Sequence, residues 1–147
     1  MLIEALVAAI IFAVGILALI KLQAEGIRQT TESKVRSDAS YLADKVLGDL
    51  AGQDLQTGAQ AASTAITGFN GTYTATAAPA TPDAAVSGSW QAMLARTLPL
   101  GTLNVAVESS ADPMNAANQV RAATVTVTWS VANGGTRTFS QVSRLVD

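Results

Sequence analysis

With 147 residues, 49% of them apolar and 14% charged, the chain has room for one compact domain plus an appendage, at well under the usual charge density of roughly 25%. Its net charge of −2 is spread evenly, five basic and six acidic groups in residues 1–50 against four and five in the remainder; no basic stripe follows from this, and no nucleic-acid partner is expected. Cysteine and histidine are both absent, which removes disulfides, thiolate chemistry, the commonest general base and the commonest transition-metal ligand together.

The first element is Met1 to Ile20, MLIEALVAAIIFAVGILALI, in which Glu4 is the only charge. A membrane-spanning helix needs roughly 20 apolar residues, and this segment just suffices. It is unlike an ordinary secretory signal, because no basic region precedes the apolar run and no small-residue cleavage pattern follows it. Glu4 is costly in a bilayer, on the order of 2.5–3.5 kcal/mol on insertion scales. One reading puts it at the headgroup boundary, favoured there by the helix macrodipole. The other pairs it with a cation once the helix is buried among helices, the nearest one being an N-terminal amine, its own or a neighbour's. Gly15 is the only glycine of the span. At about 1 kcal/mol less favourable than alanine, it marks a weak point or a close helix contact, or is simply a tolerated small residue.

Residues 21–50 continue the helical pattern without proline. Val35, Ala39, Leu42, Val46 and Leu50 recur at helical spacing and form an apolar stripe. Lys21–Glu25, Arg28–Glu32, Glu32–Arg36 and Lys34–Asp38 stand four apart on the exposed side, each pair contributing a few tenths of a kcal/mol. One helix through residues 1–50, ending near Gly48 to Gly52, would be about 75 Å long, and half of it would have to project.

Residues 52–71, rich in Gly, Ala, Gln, Ser and Thr, read as a linking loop with a short helical turn. Thr72 to Ala77 alternates like a strand. Residues 78–89 hold Pro79, Pro82 and Gly88 and read as an exposed loop. Trp90, Leu94 and Leu98 then lie four apart, with Ser89 placed to cap a helix that Pro99 and Gly101 end. Leu103, Val105 and Val107 alternate, as do Ala123, Val125, Val127, Trp129 and Val131, with Thr124, Thr126, Thr128 and Ser130 on the opposite face. That is the pattern of an antiparallel sheet with one packed and one wet face. Asn133-Gly134-Gly135 is a hairpin turn into a last strand over 137–146, whose imperfect alternation allows a bulge. The expected architecture is α+β: a long N-terminal helix whose second half packs on a small antiparallel sheet. The divisions fall at 1–20, 21–50 and 51–147, and Val35, Leu42, Val46, Trp90 and Trp129 are the packing residues between helix and head.

The opening run MLIEALVAAIIFAVGILAL resembles the start of a processed type IV pilin or type II secretion pseudopilin, over roughly residues 1–50. The resemblance implies removal of a short basic leader, methylation of the new N-terminus, and a glutamate near it that serves filament assembly. The family's glutamate is usually the fifth mature residue and here is the fourth, so either a residue precedes Met1 or the spacing is one shorter. Lys21 and Arg28 beyond the span would by themselves favour the cytoplasmic side; a basic leader would reverse that. The later order, Trp90 to Gly101, a strand, then VTVTW and a terminal hairpin, is similar to the minor pilin V (pilus modification protein) and pseudopilin I subgroup. The resemblance assigns assembly to Met1, Glu4 and Gly15, with other pilin subunits and the inner membrane as partners, and an extracellular pilus or a periplasmic filament as destination.

Chemistry elsewhere is sparse. Serines and threonines have no histidine to activate them, and no phosphate-cradling glycine motif occurs. Glu108 and Asp112 are the one carboxylate pair that folding could bring to a calcium ion, without the spaced Asp/Asn pattern of a loop site. Trp90 and Trp129 read as core anchors rather than ligand platforms. The expectation is therefore a structural subunit, not an enzyme, with no cofactor, metal or small-molecule substrate. Its rivals are a pseudopilin of a type II secretion system, a membrane-anchored sensor or binding domain and, weakest, an anchored hydrolase.

Overall fold

The computed structural model describes residues 2–57, 66–76, 84–98, 100–111, 119–131 and 135–145. The chain divides into two compact units, residues 1–34 and 35–147. Helix α1, Leu2–Thr57, contributes to both.

The first unit is the start of α1. Its residues are mostly Ala, Leu, Ile and Val, and with no proline nothing interrupts the backbone ladder. Every residue from Leu2 to Thr31 is exposed. The helix is long and apolar enough to cross a membrane by length and composition.

The second unit holds the remainder of α1, then β1 (Gly71–Thr74), α2 (Ala84–Thr97), β2 (Thr102–Ala111), β3 (Gln119–Ser130) and β4 (Thr136–Leu145). The strands pair antiparallel in chain order, β1-β2-β3-β4. Alternation assigns the odd-numbered residues of β3 to one face: Arg121, Ala123, Val125, Val127 and Trp129 are all buried. Leu103, Val105 and Val107 of β2 join that face, as does Tyr73 of β1. Against it lies the stripe of α1, with Ala39, Leu42, Val46 and Leu50 fully buried and Val35 half-buried at its edge. The α+β layout thus has the helix's second half packed on the sheet.

Four local expectations give way. Helix α1 runs past Gly48 and Gly52 to Thr57; a glycine penalty of about 1 kcal/mol does not stop a helix whose flanking Leu47 and Leu50 are buried. Helix α2 starts at Ala84, so residues 84–89 are helix rather than loop. Ser89 is consequently no cap: it lies inside α2 and its hydroxyl donates to the Val86 carbonyl at 2.7 Å. Strand β4 pairs with β3 in unbroken register from Ser130↔Thr136 to Arg121↔Leu145, so no bulge is present there. The Asn133-Gly134 part of the expected turn lies outside the described residues, although the Val131 amide donates to the Gly135 carbonyl and closes the hairpin.

The two edges of the sheet are treated differently. Strand β1 covers β2 only from Thr102 to Val105. Beyond it the Asn70 side chain plays the part of a strand, its Oδ1 accepting from the Val107 amide at 2.6 Å and its Nδ2 donating to the Val107 carbonyl at 3.2 Å. Among the described residues no strand pairs with the outer side of β4.

Candidate assembly site on the N-terminal helix

Glu4 sits in the first turn of α1, exposed and flanked on the helix surface by exposed Ile3, Val7 and Ile11. At a helix N-terminus the unpaired amides favour a negative side chain. Eleven residues separate Glu4 from Gly15, about 20° of drift around an α-helix, so the two share one face. Gly15 has no neighbouring atom within 4 Å of where a side chain would begin. Taken singly, then, the chain leaves the glycine's small size unused. Met1 lies outside the described residues.

The segment after the span mixes charged and polar side chains with exposed Leu22 and Ile27. Arg28 forks onto Glu25, with Nη2 2.9 Å and Nε 3.1 Å from the carboxylate oxygens, and Gln29 donates to the same group at 3.4 Å. These bonds hold the Glu25 carboxyl below its ordinary range, Arg28 first and Gln29 second, and raise the guanidinium in turn. Arg28 thus bonds to Glu25 three residues back, and Glu32, four residues on, also acts to raise its guanidinium. Thr30 and Thr31 both turn their hydroxyls back onto the carbonyls four residues earlier, Gly26 and Ile27, at 2.9 Å each.

Leu42, Val46 and Trp90 are fully buried, and Trp129 nearly so. Trp90 stacks at a tilt on Phe69, ring centres 5.4 Å apart, and edge-on to Tyr73 at 5.6 Å. The Trp129 indole N–H has no acceptor among the described residues. Asp49 was not singled out from the sequence, yet its Oδ2 accepts from both Trp90 Nε1 and Lys45 Nζ, each at 2.7 Å. Its only signal was an acidic residue one turn beyond Lys45. Asp44 likewise accepts from Gln141 of β4 at 2.7 Å, a contact between positions 97 apart in sequence.

No group of three or more metal-binding side chains occurs among the described residues. Glu108 lies exposed on β2, and its possible calcium partner Asp112 lies outside the described residues. Burial pushes the Tyr73 phenol upward; its hydroxyl donates to the Phe69 carbonyl. No protein-family model, curated protein or solved structure matches the chain.

Proposed function

We propose that the chain is a non-enzymatic structural subunit of a type IV pilus or related pilin-like filament. Residues 1–20 hold it in the bacterial inner membrane before assembly and pack against other pilin subunits afterwards. The observation that carries this reading is the apolar helix from Leu2 to Ile20, exposed at every position, with one acidic residue in its first turn. Exposed apolar area of that extent requires a lipid or protein partner. The second unit meanwhile closes its own core on the stripe Val35 to Leu50, so it has no use for the first twenty residues.

Glu4 supplies register. In a water-free bundle of helices an unpaired carboxylate is strongly penalised, and an N-terminal amine of a neighbouring subunit removes the penalty at one axial offset. Gly15, on the same face, admits a close neighbour there. Filaments purified from cells and imaged by electron microscopy, with the copies of this chain counted, test the reading. Incorporation should fall when Glu4→Ala is introduced, while membrane insertion persists. Undiminished incorporation sinks the pairing, and recovery of the chain only in a non-filamentous membrane complex supports an anchored binding domain instead. Copies confined to a secretion-system filament would assign it as a pseudopilin.

A further inference from the structure

The solvent face of the sheet carries an ordered array of hydroxyl and amide side chains. Pairing register puts Thr72, Asn104, Thr126 and Ser140 in one row across all four strands, and Thr74, Thr102, Thr128 and Thr138 in the row beside it. All eight point away from the buried face and are exposed or half-exposed. Two cross-strand bonds hold the first row in order: Asn104 Nδ2 donates to Thr72 Oγ1 at 2.9 Å, and Thr126 and Ser140 share a hydroxyl–hydroxyl bond at 3.1 Å. Strand geometry spaces the residues of a row by about 4.8 Å and the two rows by about 6.8 Å.

None of the eight is ionisable. Among the described residues the nearest charges of this face, Glu108 and Arg144, stand together two rows from the first row, on either side of Ala122. A surface of this kind offers donors and acceptors in alternation, with threonine methyl groups between them. It has no attraction for phosphate, sulfate or carboxylate polymers, which need a cationic footprint. It complements a ligand that is itself uncharged, carries many hydroxyls and has apolar CH faces.

We propose that the two rows form a binding face for a neutral polysaccharide, its chain lying across the strands between the rows. Hydroxyls on either side of the glycan meet one row each, and the methyl groups of Thr74, Thr102, Thr126, Thr128 and Thr138 line its flanks. Each neutral hydrogen bond exchanges with water and contributes little alone, so a polymer is held and a monosaccharide is not. Display of the face in many copies would multiply the avidity; that multiplication rests on the filament reading, whereas the face itself does not.

The test uses the full chain, one copy per phospholipid nanodisc, so that it is independent of filament formation. Retention is measured on an immobilised neutral glucan and on a carboxylated polysaccharide of similar size. Retention on the glucan, insensitive to added salt and absent on the carboxylated polymer, is expected. The isosteric triple exchange Thr126→Val, Thr128→Val and Thr138→Val should lower the apparent affinity about tenfold or more with an unchanged circular dichroism spectrum. If the triple variant loses its folded spectrum, Thr138→Val alone on the edge strand decides, with an expected loss of about threefold. No retention on the glucan, equal retention by the variants, or preference for the charged polymer each overturns the proposal.

Discussion

The indole N–H of Trp90 donates to the Asp49 carboxylate at 2.7 Å and thereby ties helix α2 to helix α1 at the centre of the second unit. Trp90 is fully buried, so its one polar atom depends on that carboxylate. Asp49→Ala should destabilise the unit by about 1–3 kcal/mol, because a buried donor is left without its acceptor. Lys45→Ala, which removes only a partly exposed ion pair, should cost less than about 1 kcal/mol. Chemical denaturation followed by tryptophan fluorescence separates the two, and equal losses would show that the lysine matters as much as the indole.

Gly101 closes the turn between α2 and β2. A Cβ there would stand 3.0 Å from the Leu98 carbonyl oxygen, 3.0 Å from the Leu98 Cβ and 3.2 Å from the Thr128 carbonyl oxygen. Two of the three are backbone atoms and cannot swing aside. Gly101→Ala should therefore cost about 1–3 kcal/mol, in the range of other overpacking changes, measured as a lowered unfolding midpoint with an unchanged denaturant slope. The same exchange at Gly88, where a Cβ meets nothing within 4 Å, should be neutral or mildly stabilising.

Asn70 completes the β2 edge through both ends of its amide. Asn70→Ala removes an acceptor and a donor from the Val107 backbone and should destabilise by about 1–3 kcal/mol. Asn70→Asp keeps the acceptor but turns the other contact into two facing oxygens, so it should not restore stability. Hydrogen exchange at the Val107 amide reads this directly: protection lost in the alanine variant and undiminished elsewhere in β2 is the expected result.

Tyr73 ties stability to alkaline pH. Burial raises its phenol above the ordinary value of 10.0. The unfolded chain therefore releases the proton first as pH rises. The contribution of a neutral, buried Tyr73 is fully present below about pH 10 and is lost as pH climbs through the folded value. Thermal midpoints should be flat on the neutral side and decline above about pH 10; Tyr73→Phe should lessen that decline, and an identical decline in the variant would assign it to other groups.

The helical stripe and the β3 alternation were legible because a single period ran through many positions in each. Val35 to Leu50 keeps the 3.6-residue period over four turns, and Ala123 to Trp129 keeps the period of two. The beginning of α2 was hidden because Ser87, Gly88 and Ser89 carry loop chemistry, whereas in the structure their small size suits a helix with Ser87 buried. Glycines at 48 and 52 misplaced the end of α1 for a related reason: local preference is weaker than the burial of Leu47 and Leu50. At the candidate assembly site the sequence marks Glu4 as the one charge of the span, and the structure places it exposed in the first turn of α1. The hydroxyl rows were half visible, since Thr124, Thr126 and Thr128 declare a wet face, but their alignment with Thr72, Asn104, Thr138 and Ser140 exists only once strand register is known.

The core that seals the second unit draws on residues as far apart as Ala39 and Leu145. A ribosome delivers them in that order. Leu42, Val46 and Leu50 are therefore made long before the strands that cover them, and the unit can finish folding only after Leu145 has emerged. During that interval a nascent chain carries two naked apolar surfaces, the exposed residues 2–20 and the stripe that its own sheet will cover. The first of these surfaces is long and apolar enough to cross a membrane, and shielding it early would leave the stripe free to meet only its own sheet.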